Sequence, residues 1–332
     1  MELIDKVLTS KYGSIFTSES EAKIELQYKK YCKLLHPDVN NDPRATDAFA
    51  RLGQLKELAV QALQSGHWEE DNIVYFQRPG TLNTLKIEYL YHQVTDVCEY
   101  YVTKGHVVYV FDIKRKKYYD NFVKWAKNFK FKTDPMKEHF LPLLPMRYVD
   151  TFETKDKYIV SCVKEEDVYP LRAVIDNFWK GNIPGEHWTW ITSRLMEMIN
   201  FLNYHGIVLN GLDLDSLFIC PKLHTLCLLG GWWFATKADE PLIGTTSKIW
   251  ANMPPKAKAN RIGDPLTDIE SMKALGREFG TNCPQAIKEY FESGSGQAFS
   301  EWQKWEQAMT KGYGKRKFVE LNATDKEIYK KE

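Results

Sequence analysis

The 332-residue chain has six cysteines, Cys32, Cys98, Cys162, Cys220, Cys227 and Cys283, and no Cys-x-x-Cys pair among them. That absence excludes a zinc ribbon and a dithiol redox motif. No run of about 18 apolar residues occurs, so no membrane-spanning helix is expected. Met1 leads into a charged amphipathic segment rather than an apolar signal stretch. Net charge is only +1, too little for the global field that drives nucleic-acid binding. Two local basic clusters, Lys114-Arg115-Lys116-Lys117 and Lys315-Arg316-Lys317, read as solvated surface, and nucleic acid ranks last among partners. The eight histidines are dispersed without His-x-x-x-His spacing, and no Gly-x-Ser-x-Gly elbow occurs. Neither a metal nor a cofactor is expected. Hydrophobic content of 43% is enough for a sizeable core. The simplest reading is a reduced, cytoplasmic, soluble protein.

What the chain does have begins at residue 20. At about 100° per residue, Ile24, Tyr28, Tyr31, Cys32 and Leu35 share one helix face. Lys23, Lys29, Lys30 and Lys33 share the other. Ser18 or Ser20 is placed to cap the start, with Glu21 in the first turn. Pro37 stops the helix, because a residue before proline is pushed out of the α region. A polar loop follows, Asn40 to Pro43, and a second helix starts near Arg44. Its apolar stripe is Ala48, Phe49, Leu52, Leu55, Ala59 and Leu63. The two helices are expected to pack antiparallel with His36-Pro37-Asp38 at the tip, braced by a shorter helix over residues 3–8. The stretch 9–17 leaves the entry into the second helix open.

Taken singly, His-Pro-Asp reads as an interhelix turn and the lysines as a wet helix face. Together, in this order, they resemble a J-domain, over residues 1–67. The resemblance implies docking on a DnaK-type heat-shock chaperone and stimulation of its ATPase. Lys23, Lys29, Lys30 and Lys33 would steer docking, and His36, Pro37 and Asp38 would couple it to hydrolysis.

Residues 66–80 read as a junction. Strand patterns follow at 85–91, 97–103 and 106–112, then a helix over 117–129 with Phe122, Trp125, Ala126 and Phe129 on one face. Strands at 146–152 and 157–163 precede helices near 171–179 and 185–204. Strands first and helices after suggest an α+β region of two lobes. The order resembles a protein kinase over residues 70–332, with lobes at about 70–165 and 166–332. Residues 205–219 resemble a catalytic loop, 226–233 the metal-binding motif, Met253-Pro254-Pro255 the end of an activation segment, and 267–272 the start of the following helix.

The departures from that family decide the expected function. Phosphoryl transfer needs a carboxylate for the attacking hydroxyl and ligands for magnesium. Leu209-Asn210-Gly211 stands where His-Arg-Asp belongs, so the base position is Gly211. The magnesium-binding Asn position is Ser216, and the essential Asp of the later motif is replaced by Leu229 or a neighbour. Phe111 or a neighbour stands at the phosphate-binding Lys. The loop 92–98 contains no glycine with which to approach phosphates. His205 and Asp268 fit structural positions, Asp268 as the buried carboxylate that holds the loop.

The chain is thus expected to be a J-domain co-chaperone. Its kinase-like part would be a catalytically inactive scaffold for an unidentified client or partner. One alternative is a divergent ATP-using enzyme built on Asp213, Asp215 and Asp268. The other is an interaction or inhibitory protein that engages no chaperone. Trp232-Trp233-Phe234, Trp302 and Trp305 read as core aromatics, or as a binding surface if the first cluster is exposed.

Overall fold

The computed structural model describes residues 3–81, 83–147, 149–315 and 318–329. Arg316 and Lys317 of the second basic cluster lie outside the described residues. The chain mixes helix and sheet and divides into two compact units. One comprises Met1–His92 with Tyr101–Thr103 and Thr151–Ile159; the other comprises Gln93–Tyr100, Lys104–Asp150 and Val160–Glu332.

The first unit opens with α1 (Leu3–Thr9) and α2 (Tyr12–Ile15), the latter inside the stretch left open above. The hairpin follows as α3 (Glu21–Leu35) and α4 (Ala45–Ser65). The Ser20 side chain accepts a hydrogen bond from the Lys23 N–H and starts α3. Gly66, at φ 70°, ends α4 in the left-handed conformation that glycine adopts without strain. Ile24, Leu35, Ala48, Leu52, Leu55 and Ala59 form one core with Ile4 and Val7 of α1. Burying a leucine of this kind contributes about 1.5–3 kcal/mol.

Residues 67–88, read in part as a junction, instead form an antiparallel sheet of β1 (His67–Glu70), β2 (Ile73–Gln77) and β3 (Thr84–Glu88). Trp68 enters the helical core, and Tyr12 meets it edge-on at 5.1 Å. Gly13 lies so close to β1 that a Cβ would sit 2.1 Å from the Glu69 carbonyl oxygen.

The remaining strands before the helical region are β4 (Tyr91–Val94), β5 (Glu99–Val102), β6 (His106–Asp112), β7 (Val149–Glu153) and β8 (Lys157–Val163), in the sheet order β4-β5-β6-β8-β7. Between β6 and β7 come α5 (Lys116–Asn128) and α6 (Asp134–Phe140). The second unit continues with β9 (Tyr169–Pro170), α7 (Leu171–Ala173), a π-helical turn and α8 (Gly185–Tyr204). Trp188, Ile191, Leu195, Met198, Ile199 and Leu202 bury one side of α8. Then come β10 (Ile207–Val208), the hairpin of β11 (Leu217–Cys220) and β12 (Thr225–Leu228), and β13 (Thr236–Lys237). The chain closes with α9 (Ser247–Asn252), α10 (Pro255–Asn260), α11 (Leu266–Phe279), α12 (Gln285–Glu292), α13 (Ala298–Tyr313) and α14 (Asp325–Tyr329). Trp232, Trp233, Phe234 and Trp305 are core side chains, while Trp302 is half-buried. Among the described residues no helix is long and apolar enough to cross a membrane.

Candidate functional site

Two places hold the residues singled out by sequence. The first is the α3–α4 turn. His36 caps the C-terminus of α3, and its Nδ1 accepts the Asp38 N–H at 3.2 Å. Its ring meets Phe49 edge-on at 5.3 Å, so the imidazole is half-buried while Pro37 and Asp38 project into solvent. Backbone N–H groups of Val39 and Asn40 both return to the His36 carbonyl, which tightens the turn. Lys23, Lys29, Lys30 and Lys33 are all exposed on α3. Lys23 pairs with Glu19 and Lys29 with Glu25. Neither Lys30 nor Lys33 has a side-chain partner among the described residues, and these two lie nearest the turn. The tip therefore presents an imidazole, a rigid proline, a carboxylate and two unpaired cations together.

The second place is the loop after α8. His205 caps α8. Its Nε2 accepts the Lys132 N–H at 3.3 Å, which puts the ring proton on Nδ1, 2.9 Å from the Phe201 carbonyl oxygen. Beyond β10, Asp268 on α11 is fully buried and accepts the N–H groups of Leu209 at 2.7 Å and Asn210 at 3.0 Å. Burial pushes this carboxyl up to about 7, against the two N–H donors that favour its charged form. Asn210 takes φ 56° and fastens the loop with its side-chain amide, which donates to Val208, Phe234 and Thr236. Asparagine is among the few residues that tolerate this backbone region.

Gly211, at the base position of the resemblance, has no room for a side chain. A Cβ there would sit 2.6 Å from Phe234 Cδ2 and 3.0 Å from the Gly231 carbonyl oxygen. The Ser216 hydroxyl lies 2.7 Å from the Gly211 carbonyl oxygen and 2.8 Å from Asp213 Oδ1, so its single proton serves internal partners. Burial, and then the charge of Asp215, push the Asp213 carboxyl up to about 6. Asp215 is held by Arg172, whose Nε and Nη2 donate at 2.5 and 2.8 Å, and by the Tyr100 hydroxyl at 3.4 Å. The three carboxylates near this loop are thus committed to backbone, capping and an ion pair.

The surrounding space is filled in the same manner. Tyr100 of β5 and Tyr109 of β6 are fully buried, with rings 5.9 Å apart, and Tyr100 packs on Phe218 at 6.1 Å. Phe111 is fully buried and meets Trp233 edge-on at 5.9 Å. Leu229 is buried at the end of β12. The loop is thus lined by buried rings and by carboxylates that are paired internally. Among the described residues no group of three or more His, Cys, Asp or Glu could hold a metal ion.

Sequence reasoning missed the side chains that fasten this region. Asn121 on α5 is buried and donates to the carbonyls of Trp232, Trp233 and Ala235, and Trp125 Nε1 donates to Ala235 at 2.9 Å. The available signal was a lone amide on the apolar face of a helix. Arg172 and Tyr100 carried no motif at all.

No family model matches the chain, and no curated protein does. Among solved structures it is similar to the structure of vaccinia related kinase 3. The two are 10% identical with a TM-score of 0.47, over 71% of this chain and 91% of that one.

Proposed function

We propose that the chain is a J-domain co-chaperone that recruits and stimulates a DnaK-type ATPase, and that its larger part is a kinase-like, catalytically inactive scaffold that holds a client or partner. The observation that carries the reading is the tip of the α3–α4 hairpin, where His36, Pro37 and Asp38 stand beside the unpaired Lys30 and Lys33. A partner with an acidic surface would be steered by those cations. The scaffold half is supported by the loop after α8. Asp268 anchors it as the resemblance implies, while Gly211, Ser216 and Leu229 supply none of the groups that phosphoryl transfer needs. The committed Asp213, Asp215 and Asp268 argue against a divergent ATP-using enzyme. Joining recognition to activation in one chain raises the effective concentration of chaperone at the client without any new contact.

A pull-down comparing wild type with His36→Gln tests both halves. Wild type should retain a DnaK-type chaperone and scaffold-bound proteins, and the variant should lose only the chaperone. Equal chaperone recovery by the two would refute the proposal.

A further inference from the structure

Folding turns one of the two basic clusters into something larger than a wet surface. Between Ile113 and Thr133 the chain carries seven lysines and Arg115 against a single acidic residue, Asp120, in a protein of net charge +1. All eight cations are exposed. The buried stripe of α5, Tyr118, Asn121, Phe122 and Ala126, turns the opposite face outward. Lys116, Lys124 and Lys127 line that face at i, i+8 and i+11, along a helix about 20 Å long. Lys114, Arg115, Lys130 and Lys132 extend the ridge at both ends.

Helix stability does not account for this arrangement. The first turn of α5 has no acidic residue and opens with Lys116 and Lys117 behind Lys114 and Arg115. Cations there oppose the positive helix end, at a cost of about 0.3–1 kcal/mol each. Few internal partners offset it. Lys116 bridges to Asp120, and Lys117 reaches the Ile243 carbonyl at 3.2 Å. The ammonium groups of Lys114, Lys127 and Lys130 have no partner among the described residues.

Aromatic rings interleave with the cations. Tyr119, Trp125 and Phe131 are half-buried against Phe111, Trp232 and Phe129 respectively, so the ring most open to a base is Tyr204, 55% exposed with the Lys132 ammonium 3.9 Å from its ring centre. Cations that follow a phosphate backbone and rings that offer faces to bases are the two parts of a single-strand binding surface. A membrane surface fits less well. The apolar stripe of α5 is buried inside its own unit, and Ile113 is the one large aliphatic side chain strongly exposed along the described ridge, so no apolar face is left to insert.

We propose that the outer face of α5, with its flanks from Lys114 to Lys132, binds single-stranded nucleic acid through its phosphates. The test is fluorescence anisotropy of the full chain with labelled oligo-dT and oligo-U. Contact with about five phosphates gives a slope of about −3.5 in log affinity against log salt, so affinity should fall about 100-fold from 50 to 200 mM. The double variant Lys124→Glu/Lys127→Glu, two solvent-facing changes, should weaken binding at least tenfold. Lys30→Glu/Lys33→Glu on α3 should leave it unchanged. No binding at 50 mM salt would overturn the proposal. So would equal binding by the α5 variant, an equal loss in the α3 variant, tighter binding to duplex, or binding only to phosphatidylserine vesicles.

Discussion

Asp268→Asn is the sharpest probe of how the loop after α8 is held. In the wild type both carboxylate oxygens accept backbone N–H groups, from Leu209 and Asn210. The amide of asparagine has one oxygen, so its NH2 faces the second N–H and leaves a buried donor unpaired. That costs about 1–3 kcal/mol. The pH dependence carries a second signature. The carboxyl is raised from 3.8 to about 7 in the folded protein. The folded state therefore holds a proton that the unfolded state releases between those values. The stability this group contributes is complete below about pH 4 and is lost as pH rises through 7, by about 4 kcal/mol in all. The asparagine variant has no such slope. Its deficit against wild type should be largest at about pH 4 and below, and shrink by about 4 kcal/mol by pH 8. Urea unfolding followed by tryptophan fluorescence reads the relevant unit, since all ten tryptophans except Trp68 lie in it. Subtracting the two curves cancels every other titrating group. A deficit that stays constant or grows with pH would refute the reasoning.

Other consequences are simpler to measure. Gly211→Ala places a Cβ against Phe234 and the Gly231 backbone, so it should destabilise by about 1–3 kcal/mol in the same urea assay, and Gly211→Asp should lower stability without producing kinase activity. Millimolar MgATP should leave the melting temperature unchanged, because Tyr100, Tyr109 and Phe111 fill the space beside the loop; a saturable rise would show a nucleotide site.

The parts of the fold legible in sequence are those where apolar periodicity is strong. The α3 and α4 stripes, the continuous apolar run of β6, the apolar-rich β8, and the long buried face of α8 lie where their patterns place them. The β1–β2 hairpin was not legible. Its strands are short, two of the four residues of β1 are Glu, and its turn, Asp71-Asn72 with Asn72 at φ 60°, lacks the glycine that usually marks such a turn. Helix α6 was missed although Thr133 caps it and Pro135 sits in its first turn, because it buries no residue and so shows no stripe. At the candidate sites, motif order located Gly211, Ser216 and Asp268. The pairings that decide their chemistry, Arg172 with Asp215 and Asn121 with three carbonyls, join residues tens of positions apart and leave no local pattern.

In the proposed function the tip of the α3–α4 hairpin acts on a partner's active site. Single-turnover ATP hydrolysis by a DnaK-type chaperone, with wild type or His36→Gln added, measures that action directly. The His36 side chain is half-buried at the tip, edge-on to Phe49 and accepting the Asp38 N–H, so the variant should fold, with an unchanged circular dichroism spectrum and melting temperature. Wild type should accelerate hydrolysis several-fold and the variant not at all. Equal acceleration by the two, or none by wild type with any DnaK-type chaperone tested, would contradict it.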